Sequence, residues 1–169
     1  ERVLVRRGEE VLAFALDGTP AGTLTAPPDF RASGDGTALY RCAAGVLETR
    51  DVATGAARGR WVGACESAVL SPDGSFALVR DVGRARVRAV RLAAGASIVL
   101  GMHSIGAEAT RPFAFAPATG VFWAPEATPR DLFGVRLGPR VLSDPLVTGE
   151  EAWTRFHRAS LLADFFAGR

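Results

Sequence analysis

The sequence predicts an all-β fold of repeated antiparallel units, followed by one C-terminal α-helix. Three observations support this prediction: turn glycines recur at a nearly constant spacing, a second Asp-Gly or Pro-rich turn recurs inside each period, and helical spacing of apolar residues appears at the end of the chain. Of the 169 residues, 48% are hydrophobic and 22% are charged. That composition is typical of a chain that buries a core and not of a disordered one.

The first repeating landmark is a glycine turn between two strands. It occurs in segments 11–24, 46–61, 87–100 and 132–142, at Gly18, Gly55, Gly95 and Gly138, which lie 37, 40 and 43 residues apart. A period near 40 residues is typical of a four-stranded propeller blade. We therefore expect blade units over about 1–26, 27–65, 66–108 and 109–147.

The second landmark is a tight turn inside each period. Asp35-Gly36 and Asp73-Gly74 each precede a short apolar strand, and Gly120 takes the same place in the third copy. Such turns are strong hairpin signals because glycine adopts positive φ without steric cost. Each unit therefore reads as strand, Asp-Gly turn, strand, loop, strand, glycine turn, strand.

The apolar patterns of the strands differ along the chain. Leu78-Val79 and Phe122-Trp123 lie in runs with little alternation, which predicts burial on both faces, as in the middle strand of stacked sheets. The run 84-RARVR-88 alternates instead. Its alternation places Arg84, Arg86 and Arg88 on one face of a strand.

Two of these segments carry a family resemblance. The turn 71-SPDG-74 with the following 76-FAL-78, and the run 51-DVATG-55, resemble the WD40-like and TolB-like bacterial β-propeller repeats. The resemblance covers residues 1 to about 147 and implies a partial, incomplete β-propeller of four-stranded antiparallel blades. No Trp-Asp dipeptide and no Gly-His pair occurs, so the Asp–His network of true WD40 repeats is not expected. Such propellers present their rims and central opening to other proteins, so the resemblance implies a binding role.

The number of blades is about three and a half. Residues 2–7 read as the second strand of a blade, and the fourth unit is degenerate. Propellers close with four to eight blades, and a partial one leaves unpaired edges. Three completions stay open: blades that precede this segment, blades supplied by another chain, or a compact irregular β domain sealed by something else.

Residues 148–169 predict an amphipathic helix over about 150–166. Thr148 and Glu151 have the spacing of a capping box, and Gly168 suits the helix stop. The apolar face follows 3–4 spacing, with Trp153 and Phe156 among its members. Either this helix packs over an edge or face of the β domain, or its Trp153 and Phe156 side chains dock a partner as a helix in a groove.

The sequence predicts no catalytic, metal or cofactor site. The chain has no lysine, which excludes a P-loop lysine and Schiff-base chemistry. No G-x-S-x-G motif accompanies His103, and His157 falls inside the predicted helix. Asp35 and Asp73 are interpreted as turn residues. A propeller-type lyase or hydrolase is the least favoured alternative, with these candidates: Asp35, Asp73, His103 and Glu108.

Cysteine use and composition bear on the compartment. Cys42 and Cys65 are the only cysteines, and neither belongs to a C-x-x-C motif, so we expect reduced thiols without a metal role. The absence of Lys, Asn and Gln indicates a high-GC, bacterial genome. No apolar run approaches the roughly 18–20 residues of a membrane span. We expect a cytoplasmic protein, and the start at Glu1 instead of Met leaves a periplasmic or secreted one open.

The local charge bias is a run of arginines, namely Arg80, Arg84, Arg86, Arg88 and Arg91. It is either a solvated strand face with partners such as Asp81, or a contact for an anionic partner. The net charge of +2 and the lack of interleaved aromatics disfavour a nucleic acid. A protein partner is favoured because the arginine fork pairs carboxylates bidentately.

These observations predict a non-catalytic protein–protein interaction or regulatory scaffold module, part of a larger bacterial protein or complex. The alternative is one fragment of a cleaved or split propeller that another chain completes. The predicted partner-binding residues are Arg84, Arg86, Arg88, Arg91, Trp153 and Phe156.

Overall fold

The computed structural model describes residues 2–81, 86–105, 109–136 and 146–168. Predictions about Arg84, Glu108 and Gly138, and about the side chain of His103, lie outside the described residues. The chain divides into two compact units, residues 1–97 (unit 1) and 98–169 (unit 2). Both units are rich in antiparallel strands, and the helices lie at the C-terminal end.

Unit 1 is built from short strands. The described strands are β1 (Arg2–Arg7), β2 (Glu10–Ala15), β3 (Pro20–Thr25), β4 (Arg31–Ala32), β5 (Ala38–Ala43), β6 (Val46–Asp51), β7 (Ala57–Val62), β8 (Ser67–Leu70), β9 (Phe76–Arg80) and β10 (Val87–Arg91). They pair in chain order as sheet 1 (β1-β2-β3), sheet 2 (β4-β5-β6-β7) and sheet 3 (β8-β9-β10), with every pair antiparallel.

The predicted turn residues lie between these strands. The turn glycines have positive φ values: Gly18, Gly36, Gly55, Gly74 and Gly95. Asp73 accepts hydrogen bonds from the hydroxyls of Ser71 and Ser75 and from the Ser75 N–H, at 2.6, 2.8 and 3.1 Å. These bonds lower the pKa of Asp73 from its ordinary value to about 2. A carboxylate used in this way closes its own turn.

Asp35 repeats the same arrangement. It accepts hydrogen bonds from the Ser33 hydroxyl at 2.7 Å and from the Thr37 N–H at 3.0 Å. Partial burial opposes ionisation of this carboxyl, but the bonds from Thr37 and Ser33 outweigh it and lower its pKa. The two turns are therefore built by the same Ser-x-Asp-Gly chemistry, as expected of a repeat.

The three sheets pack face to face with sheet 2 in the middle. Sheets 1 and 2 share one core, formed by Val11, Ala13, Ala26, Phe30, Leu39 and Val52. Sheets 2 and 3 share a second, larger core. Its members include Tyr40, Leu47, Trp61, Leu70, Val79 and Val90.

The burial of β9 corrects one expectation. Ala77 and Val79 are buried, but Leu78 is 48% exposed. The predicted burial of Leu78-Val79 on both faces is therefore wrong. Leu78 points away from the face that packs on sheet 2, and the strand alternates although both positions are apolar.

The two cysteines are joined. Cys42, on β5, and Cys65, between β7 and β8, form a disulfide with Cα atoms 5.5 Å apart. The expectation of reduced thiols is wrong. The two cysteines lie 23 positions apart in sequence, and only the pairing of β5, β6 and β7 brings them together.

Unit 2 combines a strand region with two helices. Its described elements, the first of which starts just before the boundary, are β11 (Ala96–Ile105), β12 (Ala109–Ala116), β13 (Val121–Trp123), a 3₁₀ turn (Arg130–Leu132), β14 (Gly134–Arg136), β15 (Leu146–Thr148), α1 (Gly149–Phe156) and α2 (Leu161–Ala167). β11, β12 and β13 pair in that order, and β14 pairs with β15. None of the helices formed by the described residues is long and apolar enough to cross a lipid bilayer.

The predicted single helix over 150–166 is wrong, because His157 interrupts it. His157 is extended and bridges to Phe122 of β13, and the Arg158 N–H donates to the Phe122 carbonyl at 2.8 Å. Thr148 does precede α1, but its side chain makes no capping hydrogen bond. Gly168 ends α2 with φ 81°, which confirms the predicted stop.

Candidate interaction surfaces

The arginine run does not form one continuous exposed face. Arg88 lies opposite Val79 on the core side of sheet 3, and its Nε lies 3.0 Å from a carboxylate oxygen of Asp81. The Asp81 side chain is only 1% exposed. Arg86 is exposed just before β10, and Arg80 pairs with Glu66 at 3.4 Å.

The pair of Asp81 and Arg88 has a structural role. A buried carboxylate is costly unless a cation compensates it, and Arg88 supplies that charge. Arg88 therefore stabilises the buried carboxylate of Asp81, which follows β9 directly. Arg91 is half-buried and makes interactions of its own. Of the predicted arginine contacts that the structure describes, Arg86 presents its side chain most openly.

Trp153 belongs to an aromatic cluster within unit 2. It is buried, stacks on the His157 ring at 4.1 Å, and makes edge contacts with Phe122 and Phe133 at 5.7 and 5.6 Å. Phe156 is half-buried against the same cluster. The Trp153 face of α1 thus packs on the unit's own strands, as in the alternative where the helix covers part of the β domain.

His157 anchors the break between the helices, and its predicted place inside a helix is wrong. Its Nε2 lies 3.1 Å from the Ala124 carbonyl, and its Nδ1 lies 3.9 Å from a Glu126 oxygen. The ring therefore holds the 157–158 segment against the end of β13. Among the described residues, no three His, Cys, Asp or Glu side chains are arranged to hold a metal ion.

A polar cavity of about 340 Å³ lies beside the disulfide, between sheets 2 and 3. Arg41 lines it and is bonded to Glu48 at 3.0 Å and to Asp29 at 3.2 Å. These bonds, with Glu48 the larger contributor, raise the pKa of Arg41. Two carboxylates neutralise this guanidinium, and Arg31 also lines the cavity.

The outer face of sheet 1 is apolar and uncovered. Val3 and Val5 are 49% and 46% exposed, and their cross-strand partners Phe14 and Leu12 are only half-buried. The run 3-VLV-5 lacks alternation, which is the sequence pattern of a strand buried on both faces. That pattern was available in the sequence, and sequence reasoning did not use it.

The residue of sheet 2 that is equivalent to Val3 is buried. The β1–β2 hairpin pairs Arg7 with Glu10 at its turn, and the β5–β6 hairpin pairs Ala43 with Val46 in the same way. Counting back from these pairs makes Val3 the counterpart of Leu39. Leu39 is 1% exposed, because it packs against sheet 1.

The face of sheet 3 that points away from sheet 2 is exposed only in part, since Ala89, opposite Leu78 on this face, is 0% exposed. The N–H of Phe76 donates to the Ser71 hydroxyl, as the N–H of Ala38 donates to Ser33. Leu78 therefore corresponds to Tyr40 of sheet 2, which is 7% exposed. The exposed apolar residues of this face are Val69, Leu78 and Val87.

The two end faces, defined by Val3 and Val5 on sheet 1 and by Val69, Leu78 and Val87 on sheet 3, are suited to burial against other sheets. Contiguous exposed apolar patches typically mark interaction sites. The chain matches no protein-family model and no curated protein sequence. The functional proposal therefore rests on the stacking of the sheets and on their exposed apolar faces.

Proposed function

We propose that this chain is a non-catalytic protein–protein interaction or scaffold module whose stacked sheets are blades of an incomplete β-propeller. Further sheets, from another chain or another part of the same protein, dock on its two end faces. One observation carries the proposal. Val3 is 49% exposed, whereas its counterparts Leu39 and Ala77 are each 1% exposed against a neighbouring sheet.

The physical driving force is burial of apolar area. Sheet faces pack about 10 Å apart with interdigitated side chains. Each buried valine or leucine side chain contributes about 1.5–3 kcal/mol relative to leaving it exposed. A neighbouring sheet would cover several such residues at each end face, so docking is favourable without any catalytic group.

The repeat supports the propeller component of this proposal. Sheets 1, 2 and 3 follow one another in the chain, and each is antiparallel. Glycines with positive φ lie in turns of all three sheets. The Ser-x-Asp-Gly turn occurs in the same place in sheets 2 and 3. A cleaved or split propeller, completed by its second fragment, has the same two end faces and remains the alternative.

The disulfide supports an oxidising compartment over the cytoplasm. Disulfides persist in the bacterial periplasm and in secreted proteins, and cytosolic thiols are kept reduced. With Cys42 and Cys65 joined, we propose a periplasmic or secreted location in place of the expected cytoplasmic one. The loss of lysine and asparagine from the sequence continues to suggest a high-GC bacterium.

The test is cross-linking from the end faces. A photo-reactive amino acid at Val3 or Leu78 should capture a β-sheet segment, with the captured peptide identified by mass spectrometry. The matched control is Val62, which is 68% exposed on β7 of the middle sheet. With the photo-reactive residue at Val5, which is 46% exposed on the same face, Val3→Asp should abolish capture and Val62→Asp should not. Equal capture from Val62 and Val3, or a monomer with no capture in its native host, would refute the proposal.

A further inference from the structure

The cavity between sheets 2 and 3 presents polar groups that the fold itself does not use. Its volume of about 340 Å³ falls in the lower range of small-molecule sites. β4, β5 and the segment just before β4 supply one wall, and the start of β8 supplies the other. The cavity therefore has room for a small organic molecule, held between two sheets of unit 1.

Arg31 supplies an available positive charge to this cavity. It lies on β4 directly opposite Tyr40 of β5, so the two side chains share the face of sheet 2 that is turned towards sheet 3. Arg31 is exposed, and within the described residues its guanidinium has no ion-pair or hydrogen-bond partner. Arg41, by contrast, is engaged by two carboxylates. An anionic ligand can therefore pair with Arg31 without breaking an ion pair of the protein.

The Tyr40 hydroxyl is a second available group. Tyr40 is only 7% exposed, and it packs in the core shared by sheets 2 and 3. A buried tyrosine hydroxyl ordinarily has a hydrogen-bond partner. Among the described residues none bonds to this hydroxyl, and it is not fully enclosed by protein atoms. Because Tyr40 lines the cavity beside Arg31, its hydroxyl can donate to the same ligand group as the guanidinium.

The acidic residues of the cavity restrict the ligand to one negative charge. Asp29 and Glu66 both line the cavity. Asp29 pairs with Arg41 at 3.2 Å and Glu66 with Arg80 at 3.4 Å, so neither pair leaves a surplus cation for a second anionic group. A second carboxylate on the ligand would lie near one of these acids and be repelled.

The uncharged part of the wall favours a ligand with a short apolar body. Pro28, Cys42 and Ala68 contribute to it. Cys42 is bonded to Cys65, which fixes the connection before β8 to β5 covalently. A wall that is already in place lowers the entropic cost of binding, because little has to be ordered when the ligand enters.

We propose that this cavity binds a small organic monocarboxylate with a short apolar body. The carboxylate accepts hydrogen bonds from the Arg31 guanidinium and the Tyr40 hydroxyl, and the apolar part lies against the disulfide. The proposal goes beyond the function proposed above, since it adds a small-molecule site inside unit 1. It does not depend on what covers the end faces.

The probe is 3-phenylpropanoate, titrated into the ¹⁵N-labelled chain. We expect saturable amide shifts at Arg31, Cys42 and Ser67 at roughly millimolar probe. Arg31→Gln should weaken binding about tenfold, because it removes a charge-assisted hydrogen bond. Tyr40→Phe should weaken binding about two- to tenfold, because it removes the hydroxyl and keeps the ring. The matched control, Arg60→Gln, removes the same charge from an exposed residue of β7 outside the cavity and should leave binding unchanged.

Two further probes test the unchanged chain, so the outcome does not depend on a variant that folds. 3-Phenylpropanamide lacks the charge, phenylsuccinate carries a second carboxylate, and both should bind more weakly than 3-phenylpropanoate. The inference is wrong if either binds as tightly, if Arg60→Gln weakens binding as much as Arg31→Gln, if 3-phenylpropanoate gives no saturable shift, or if the shifts occur at Val3 and Leu78 instead. Val3→Asp separates the two proposals, since it impairs end-face docking and leaves the probe bound in the cavity.

Discussion

Removal of the disulfide should measurably destabilise unit 1. The bond between Cys42 and Cys65 closes a loop of 23 residues and ties β5 to the connection between β7 and β8. Loop-closure entropy for such a loop amounts to about 3 kcal/mol at 25 °C. For a chain of this size, that corresponds to a fall in Tm of roughly 6–12 °C. Cys65 is also buried in the core of sheets 2 and 3, and serine there adds a small further loss.

The assay is thermal unfolding followed by circular dichroism, with and without a phosphine reductant. Reduction should lower the Tm of the oxidised chain. The reductant should leave the Tm of the Cys42→Ser/Cys65→Ser double variant unchanged. Thiol titration of the unfolded, unreduced protein should find no free thiols. Two free thiols in protein purified from an oxidising compartment, or equal Tm values with and without reductant, would refute the reasoning.

Three further predictions concern the pairs and turns of unit 1. Asp81→Ala should lower the free energy of unfolding by about 3–5 kcal/mol, because it leaves the Arg88 charge without its partner. The Asp81→Leu/Arg88→Met double variant should regain most of this stability in urea unfolding. An equal loss of stability in the double variant would contradict a compensated pair. Gly36→Ala should destabilise more than Gly95→Ala, since both glycines have positive φ but only a Cβ at Gly36 meets a backbone atom, at 2.7 Å; the open site should show only the strain of about 1–2 kcal/mol. The folded pKa of Asp73, about 2, lies below its ordinary 3.8, so its stabilisation is present above about pH 4 and lost as pH falls towards 2. Asp73→Asn should flatten the fall in urea midpoint between pH 5 and pH 2.5, and an unchanged slope would count against this role.

The turns were the part of the fold most accessible to sequence reasoning. Asp73 bonds to serines within two residues of itself, and Gly74 needs only its own backbone freedom, so the chemistry is local. The repeat spacing follows from such local turns. The same locality explains the correct stop at Gly168, which depends on one residue's left-handed conformation.

The candidate surfaces were less accessible because exposure depends on what covers a face. Leu78 and Tyr40 occupy equivalent positions, and their own strands do not explain why one is exposed and the other buried. Arg88 was expected to share one strand face with Arg86, with Asp81 as a possible partner on a solvated face. It does pair with Asp81, but it shares the core side of sheet 3 with Val90. In each case a residue distant in sequence or in another sheet decides the outcome.

The sequence by itself determined the β-rich class, the turn positions and the helical character of the C-terminal segment, because these depend on backbone preferences and on spacing along the chain. Tertiary structure alone decided the Cys42–Cys65 bond, the break at His157 and the exposure of Val3. The physical reason is common to all three. A disulfide, a bridge to β13 and an uncovered sheet face are relations between segments that only folding brings together, or leaves apart.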